Sequence, residues 1–362
     1  MTAQPIRVLV VEDSLTVRQY LCEVLAGDPE ISVVGAVGDG KAAIAQCQAL
    51  RPDVVTMDMI LPLMSGLAAT EYIMAHCPTP ILIVSASFNR GEVFKTMDAL
   101  AAGAVEALDK PLGGEGDAAW EKHFLATVKL VSRIRPITHP RARLPRLRSY
   151  ENLSPAPQMV PPGGERGAYR VIAIGASTGG PSAVVKVLRA LPCSLGVPIL
   201  LVLHMAGQFC SAFAEWLDTQ SEWPVVQARD GDRIDGAIGR VCIAPPDLHL
   251  GVRDGRLFLS AEPERHSCRP SVDVLFESVA REFGPTAIAC LLTGMGRDGA
   301  SGLLDIRRSG GFTIAQDEDS SVVFGMPREA IRLGAAERVL PLDAIGPTMA
   351  QLPPAVAGVM RR

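Results

Sequence analysis

The sequence predicts two α/β domains joined by a linker: an N-terminal (βα)5 unit and a larger, doubly wound, mostly parallel α/β unit. Three observations predict it. A chain of 362 residues exceeds one ordinary core. Short apolar runs alternate with stretches of helical spacing from Ile6 to about Lys129, and again from Tyr169 onward. Between them the periodicity stops in a segment rich in proline and arginine. The expected boundaries are 5–125 for the first domain, 126–168 for the linker and 169–360 for the second domain.

In the first domain, Val8 to Val11, Val33 to Ala36, Val54 to Met57, Ile81 to Val84 and Ala104 to Leu108 read as buried strands. Leu15 to Leu25, Lys41 to Leu50, Gly66 to Ala75 and Val93 to Ala102 carry apolar residues three and four apart, as helices do. The linker runs through prolines from Pro136 to Pro162 and on to Gly163 and Gly164, which no helix or central strand tolerates. Its arginines, from Arg133 to Arg148, come without aromatic or amphipathic patterning, so they do not argue for nucleic acid or membrane. In the second domain, Arg170 to Ile174, Val197 to Leu203 and Ala287 to Leu292 read as buried strands. Val241 to Ile243 and Arg256 to Leu259 read as short peripheral ones.

Composition narrows the class. With 48% hydrophobic and 20% charged residues the chain is globular, and a net charge of -4 gives no general attraction to nucleic acid or anionic lipid. The eight cysteines include no Cys-x-x-Cys pair and read as reduced, mostly buried residues. His249 and His266 are not spaced with Cys242 and Cys268 as zinc ligands are, so no such site is expected. The first residues lack a secretory pattern and no apolar run is long enough to span a bilayer. The expectation is a cytoplasmic protein that is not membrane-embedded.

Glu12 and Asp13 follow the first strand, Asp58 the third, Ser85 the fourth and Lys110 the fifth, so all five fall on one edge of the predicted sheet. A carboxylate after a strand is commonly a helix N-cap. Clustered acids repel unless a cation lies among them, however, and oxygen-only ligands favour Mg²⁺ or Ca²⁺. A hydroxyl and a lysine opposite suit the oxygens of a phosphoryl group. Lys110–Pro111 suggests a cis bond in a tight turn. Together with Pro62 and Gly66, these residues resemble the signature of two-component receiver domains, over roughly 5 to 125. The resemblance implies a phosphoryl group donated to Asp58 by a histidine kinase. It also implies Mg²⁺ held by Glu12 or Asp13, Asp58 and the Ile60 carbonyl, with Ser85 and Lys110 sensing the product. Two positions depart: Ala107 replaces the usual aromatic switch residue, and Ile60-Leu61 replaces a polar residue and methionine.

In the second domain, Gly175-Ala176-Ser177-Thr178-Gly179-Gly180 joins a strand to a helical stretch, Ser182 to Leu191. A dinucleotide loop would place glycine at position 177 and an acid after the next strand; here Ser177 and His204 stand there. Thr293 to Gly299 follows another buried strand and brings Asp298 to the same edge. Ser177, His204 and Asp298 then suit nucleophile, base and orienting acid, in an order unlike that of α/β-hydrolases. A non-catalytic or nucleotide-binding output domain is the alternative, and a DNA-binding one is disfavoured by length and the lack of a basic helix.

The segments IGASTGGP (174–181), LHM (203–205), ARDGDRI (228–234), IAPPDLHL (243–250), CRPSVDVLF (268–276), LLTGMGRDGA (291–300) and AQDEDSSVVFGMPREA (315–330) closely resemble the chemotaxis protein-glutamate methylesterases, the CheB family. The resemblance implies a cofactor-free serine esterase that demethylates, and deamidates, methyl-accepting chemotaxis receptors. Ser177, His204 and Asp298 would be catalytic, and the N–H groups of Thr178 and Met295 would stabilise the oxyanion. The phosphodonor implied is the chemotaxis histidine kinase CheA, and the unphosphorylated receiver is implied to cover the esterase site. Ala206 and Pro246 depart from the family pattern without removing a catalytic group.

Overall fold

The computed structural model describes residues 4–86, 90–111, 117–134, 169–205 and 207–352. Most of the expected linker, the departure at Ala206 and the last residues of the expected second domain lie outside the described residues. The first domain runs β1 (Ile6–Val11), α1 (Leu15–Ala26), β2 (Ile31–Val37), α2 (Gly40–Leu50), β3 (Val54–Met57), α3 (Gly66–His76), β4 (Ile81–Ser85), α4 (Arg90–Ala101), β5 (Glu106–Asp109) and α5 (Asp117–Val131). Its strands are parallel in the order β2-β1-β3-β4-β5. The chain order reverses beside β1, and the carboxyl ends of β1 and β3 flank that crevice. Ser14, Asp39 and Ser65 cap α1, α2 and α3, each accepting from the N–H three residues on. Because Ser14 does the capping, Glu12 is free to turn inward. The last helix, α5, continues to Val131, past the boundary at 125.

The second domain runs β6 (Val171–Ala176), α6 (Gly180–Ala190), β7 (Ile199–Leu203), α7 (Gly207–Gln220), β8 (Val225–Gln227), β9 (Val241–Ile243), β10 (His249–Arg253), β11 (Arg256–Ser260), α8 (Val272–Phe283), β12 (Ala287–Leu291), α9 (Ala300–Arg308), β13 (Phe312–Gln316), α10 (Met326–Arg332), β14 (Arg338–Leu340) and α11 (Leu342–Ala350). Seven strands form one parallel sheet in the order β14-β13-β12-β6-β7-β9-β8, and β10-β11 is a separate antiparallel hairpin. The three strands that carry the candidate catalytic residues, β12, β6 and β7, are adjacent at its centre.

Two expectations are corrected. Val241–Ile243 is not peripheral: β9 pairs with both β7 and β8 and its three residues are buried. Its shortness, rather than its position, makes it look marginal in the sequence. Lys110–Pro111 is trans; the one cis peptide among the described residues is Arg269–Pro270. The Lys110 N–H donates to the Ser85 carbonyl at 3.1 Å, so the chain leaves β5 in register and needs no reversal there.

The two domains pack together. Helix α4 lies against α6 and α7, and one apolar cluster runs from Met97 and Leu100 to Phe213 and Leu217. Val322 and Val323 of the second domain pack on the cluster that contains Val105 and Leu108 of the first.

Candidate functional site

At the edge of the first sheet the expected group assembles. Lys110 Nζ donates to Glu12 Oε1 and to Asp58 Oδ2, both at 2.9 Å. Asp58 Oδ1 accepts from the Ile60 N–H at 3.3 Å. Burial pushes the Glu12 and Asp58 carboxyls above their usual range. Burial works against the Lys110 charge, but its hydrogen bonds to the two carboxylates hold it above the ordinary lysine value. Oxygens of Glu12, Asp13 and Asp58 lie within 4.8 Å of one another, an all-oxygen set that fits Mg²⁺. The Ser85 hydroxyl is buried without a hydrogen-bond partner, as a group awaiting an anion would be. Gly66 lets α3 approach closely: a Cβ there would lie 1.9 Å from the Asp58 carbonyl oxygen. Ala107 is buried within β5.

In the second domain, the Ser177 N–H donates to the Thr293 carbonyl and the His204 N–H to the Ala176 carbonyl, both at 3.0 Å. These bonds lock the nucleophile turn between the ends of β12 and β7. Gly294 is required by contact, since a Cβ would meet Ser177 Cβ at 2.7 Å. Gly179 takes φ +77°, a left-handed conformation at which the chain turns into α6.

His204 and Asp298 meet directly, with His204 Nε2 donating to Asp298 Oδ2 at 2.9 Å. Asp298 is itself held by the amino end of α8. It accepts from Ser271 Oγ at 2.7 Å, from the Val272 N–H at 2.7 Å and from the Asp273 N–H at 3.1 Å. Burial raises its pKa, but His204, Ser271 and the Val272 N–H outweigh that and hold the carboxyl below its ordinary value. Burial disfavours the imidazolium, yet the bond to Asp298, with Cys268 adding, raises His204 to about 9. Ser177 stands beside His204 on the neighbouring strand, but no hydrogen bond joins its hydroxyl to the imidazole among the described residues. The imidazole's other nitrogen, Nδ1, instead faces Cys268 Sγ at 3.7 Å. The backbone N–H groups of Thr178 and Met295 donate to no acceptor among the described residues, and both flank the serine turn.

The sequence matches the response regulator receiver domain over residues 8–116 and the CheB methylesterase domain over residues 172–349. A protein-glutamate methylesterase/protein-glutamine glutaminase of Nitrosospira multiformis is 43% identical over 351 residues, 96% of this chain and 97% of its own. The chain belongs to the CheB methylesterase family. A second such relative, from Pseudomonas aeruginosa, is 42% identical over 354 residues, 96% of this chain and 97% of its own. The crystal structure of the Thermotoga maritima CheB methylesterase catalytic domain is 37% identical, covering 51% of this chain and 98% of that one at a TM-score of 0.48.

Sequence reasoning missed four residues of this CheB-family site. Ser271 and Gln316 position the loops of the candidate residues: Ser271 Oγ donates to Asp298, and Gln316 Oε1 accepts from the Thr293 N–H at 2.8 Å. Cys268 lies against the imidazole. The fourth is Glu106, at the start of β5, whose Oε2 accepts from Thr178 Oγ1 at 2.8 Å. The receiver thereby touches the residue next to the candidate nucleophile. A second inter-domain hydrogen bond runs from Trp216 Nε1 to Asp98 Oδ1 at 2.8 Å. A contact that links two domains leaves no spacing or periodicity to read in advance. No helix of the described residues is long and apolar enough to cross a membrane.

Proposed function

We propose that this chain is a phosphorylation-controlled serine esterase acting on glutamate methyl esters of methyl-accepting chemotaxis receptors, with glutamine deamidation as its second reaction. The observation that carries it is the His204–Asp298 hydrogen bond at 2.9 Å beside the Ser177 turn. His204 Nε2–H stays on Asp298, so Nδ1 is the nitrogen that takes the proton from Ser177 Oγ as that oxygen attacks the ester carbonyl. The Ser177 hydroxyl closes on Nδ1 when substrate is bound, as apo catalytic contacts commonly tighten only in the complex. Thr178 and Met295 N–H groups receive the developing oxyanion; losing one such donor costs ~100- to 1000-fold in rate. Methanol leaves with the proton from His204, water attacks the acyl-enzyme, and a glutamate carboxylate remains. The esterase chemistry uses no cofactor.

Asp58 accepts the phosphoryl group from a histidine kinase of the CheA type. Mg²⁺ held by Glu12, Asp13, Asp58 and the Ile60 carbonyl would neutralise charge on the transferring group. Lys110 and Ser85 take its oxygens. The receiver restrains the esterase through the α4 and β5 face, and phosphorylation weakens that docking. The reading places the protein in the cytoplasm, at the cytoplasmic part of its receptors.

Methanol release from methylated receptor membranes, with and without a small phosphodonor, tests this. The proposal requires release that phosphodonor stimulates, that Ser177→Ala abolishes and that Asp58→Asn leaves unstimulated. Full activity in Ser177→Ala would refute the assignment of the nucleophile.

A further inference from the structure

Beyond the ester chemistry, and resting on the reading of His204 as its base, we propose that His204 Nδ1 and Cys268 Sγ form a binding site for a thiophilic divalent metal. Zinc is the natural occupant, and it would shut the esterase reversibly. The two donor atoms are 3.7 Å apart. Zinc bonds of about 2.0–2.1 Å to nitrogen and about 2.3 Å to sulfur, opened to a tetrahedral angle, separate their donors by about 3.5 Å. The existing spacing thus matches that of two ligands of one ion.

Three further features make this a prepared pair rather than a chance approach. Asp298 Oδ2 accepts from His204 Nε2 at 2.9 Å, which makes Nδ1 the nitrogen that exchanges its proton for a metal and fixes the plane of the ring. A carboxylate behind a metal-binding imidazole plays this part in zinc sites generally. Asp298 is in turn anchored by Ser271, Val272 and Asp273, so the ring cannot easily turn away. Cys268, finally, sits on a fixed turn: Arg265 and Cys268 exchange backbone hydrogen bonds of 3.1 and 2.9 Å, and His266 and Ser267 hold φ of 53° and 60°. One donor atom each of His204, Cys268 and Asp298 lies within 4.8 Å of the others, and Cys268 is half-buried.

The neighbouring histidine does not compete. His266 Nε2 is engaged by Asp273 and its Nδ1 accepts from Arg297 Nε, both at 3.1 Å. With two protein donors, the remaining coordination positions belong to water. The site is therefore a reversible inhibitory one rather than a structural one, which would be closed by four ligands. Its consequence is simple: a metal on Nδ1 takes the lone pair that must accept the serine proton.

The test uses the full chain. Cobalt(II), as a spectroscopic probe, is titrated into the protein and into Cys268→Ser, and thiolate-to-cobalt absorption is compared. Zinc inhibition of methanol release is measured for both, each against its own metal-free rate. Loss of even an outer partner costs ~10- to 100-fold in metal affinity. Removal of the thiolate should therefore abolish the absorption and raise the inhibitory zinc concentration at least ~10-fold. Either readout unchanged in Cys268→Ser overturns the site. Absorption that depends on Cys268 in a protein without ester turnover would leave the site standing and sink the esterase reading, so the two failures are distinct.

Discussion

Replacing Asp98 with alanine isolates the docking of the two domains from the chemistry. Asp98 lies on α4, in the receiver, and accepts from the indole N–H of Trp216 at 2.8 Å. Trp216 is only 1% exposed, so in the docked state its N–H has no water to turn to. Stranding a buried donor costs about 1–3 kcal/mol, and once the domains part the indole recovers a water partner. That cost falls on the docked state alone. At 1.4 kcal/mol per decade, the docked-to-undocked ratio drops by about 5- to 150-fold. If esterase activity without phosphodonor tracks the undocked fraction, it rises by that factor until it meets the phosphorylated rate. The assay is methanol release with and without phosphodonor, at equal protein concentration. The phosphorylated rate should stay as it was, because the substitution touches neither Ser177, His204 nor Asp298. An unphosphorylated rate that does not move, in a protein whose melting shows the receiver folded, would refute docking as the restraint.

Two other outcomes follow from the same geometry. Asp298→Asn keeps the shape but removes the charge that orients His204, so kcat should fall by about 10³- to 10⁴-fold. It should also lower the melting temperature, since the α8 N–H groups lose a charged acceptor, and an unchanged rate would remove Asp298 from the catalytic group. Glu106 supplies a pH dependence. Burial lifts its carboxyl above the usual range, more than the Thr178 hydroxyl and Ala107 N–H lower it. The docked state therefore binds the proton more tightly than a solvated one, so docking is favoured at low pH and weakens as pH rises through the raised value. The ratio of unphosphorylated to phosphorylated rate should climb with pH in the parent and stay flat in Glu106→Gln; identical profiles would dismiss this role.

What was legible in the sequence and what was not divide along a physical line. Glu12, Asp58, Ser85 and Lys110 could be placed because each follows an apolar strand, and parallel strands put their carboxyl ends on one edge. Ser177, His204 and Asp298 were readable as candidates for the same reason. The strand Phe312–Gln316 escaped because Thr313 and Gln316 interrupt its apolar run. Both are fully buried, with Thr313 Oγ1 donating to the Ala335 carbonyl and Gln316 holding Thr293. Polar groups satisfied by the fold look like surface in a sequence. Cys268 escaped for a different reason. It lies far along the chain from His204, and ligand spacing rules see only neighbours on one element.

The burial of α4 and β5 against the hydrolase has a consequence outside the chain. That face cannot serve an outside protein while it serves the esterase. Covalent linkage gives the intramolecular contact an effective concentration that a free competitor must overcome. Reciprocity then holds: if docking restrains the esterase, any molecule that seizes the exposed face of an undocked receiver would shift the balance toward the active enzyme, whatever the state of Asp58. On that reading the receiver would answer to more than one kind of signal, phosphate being the one its acidic edge suits.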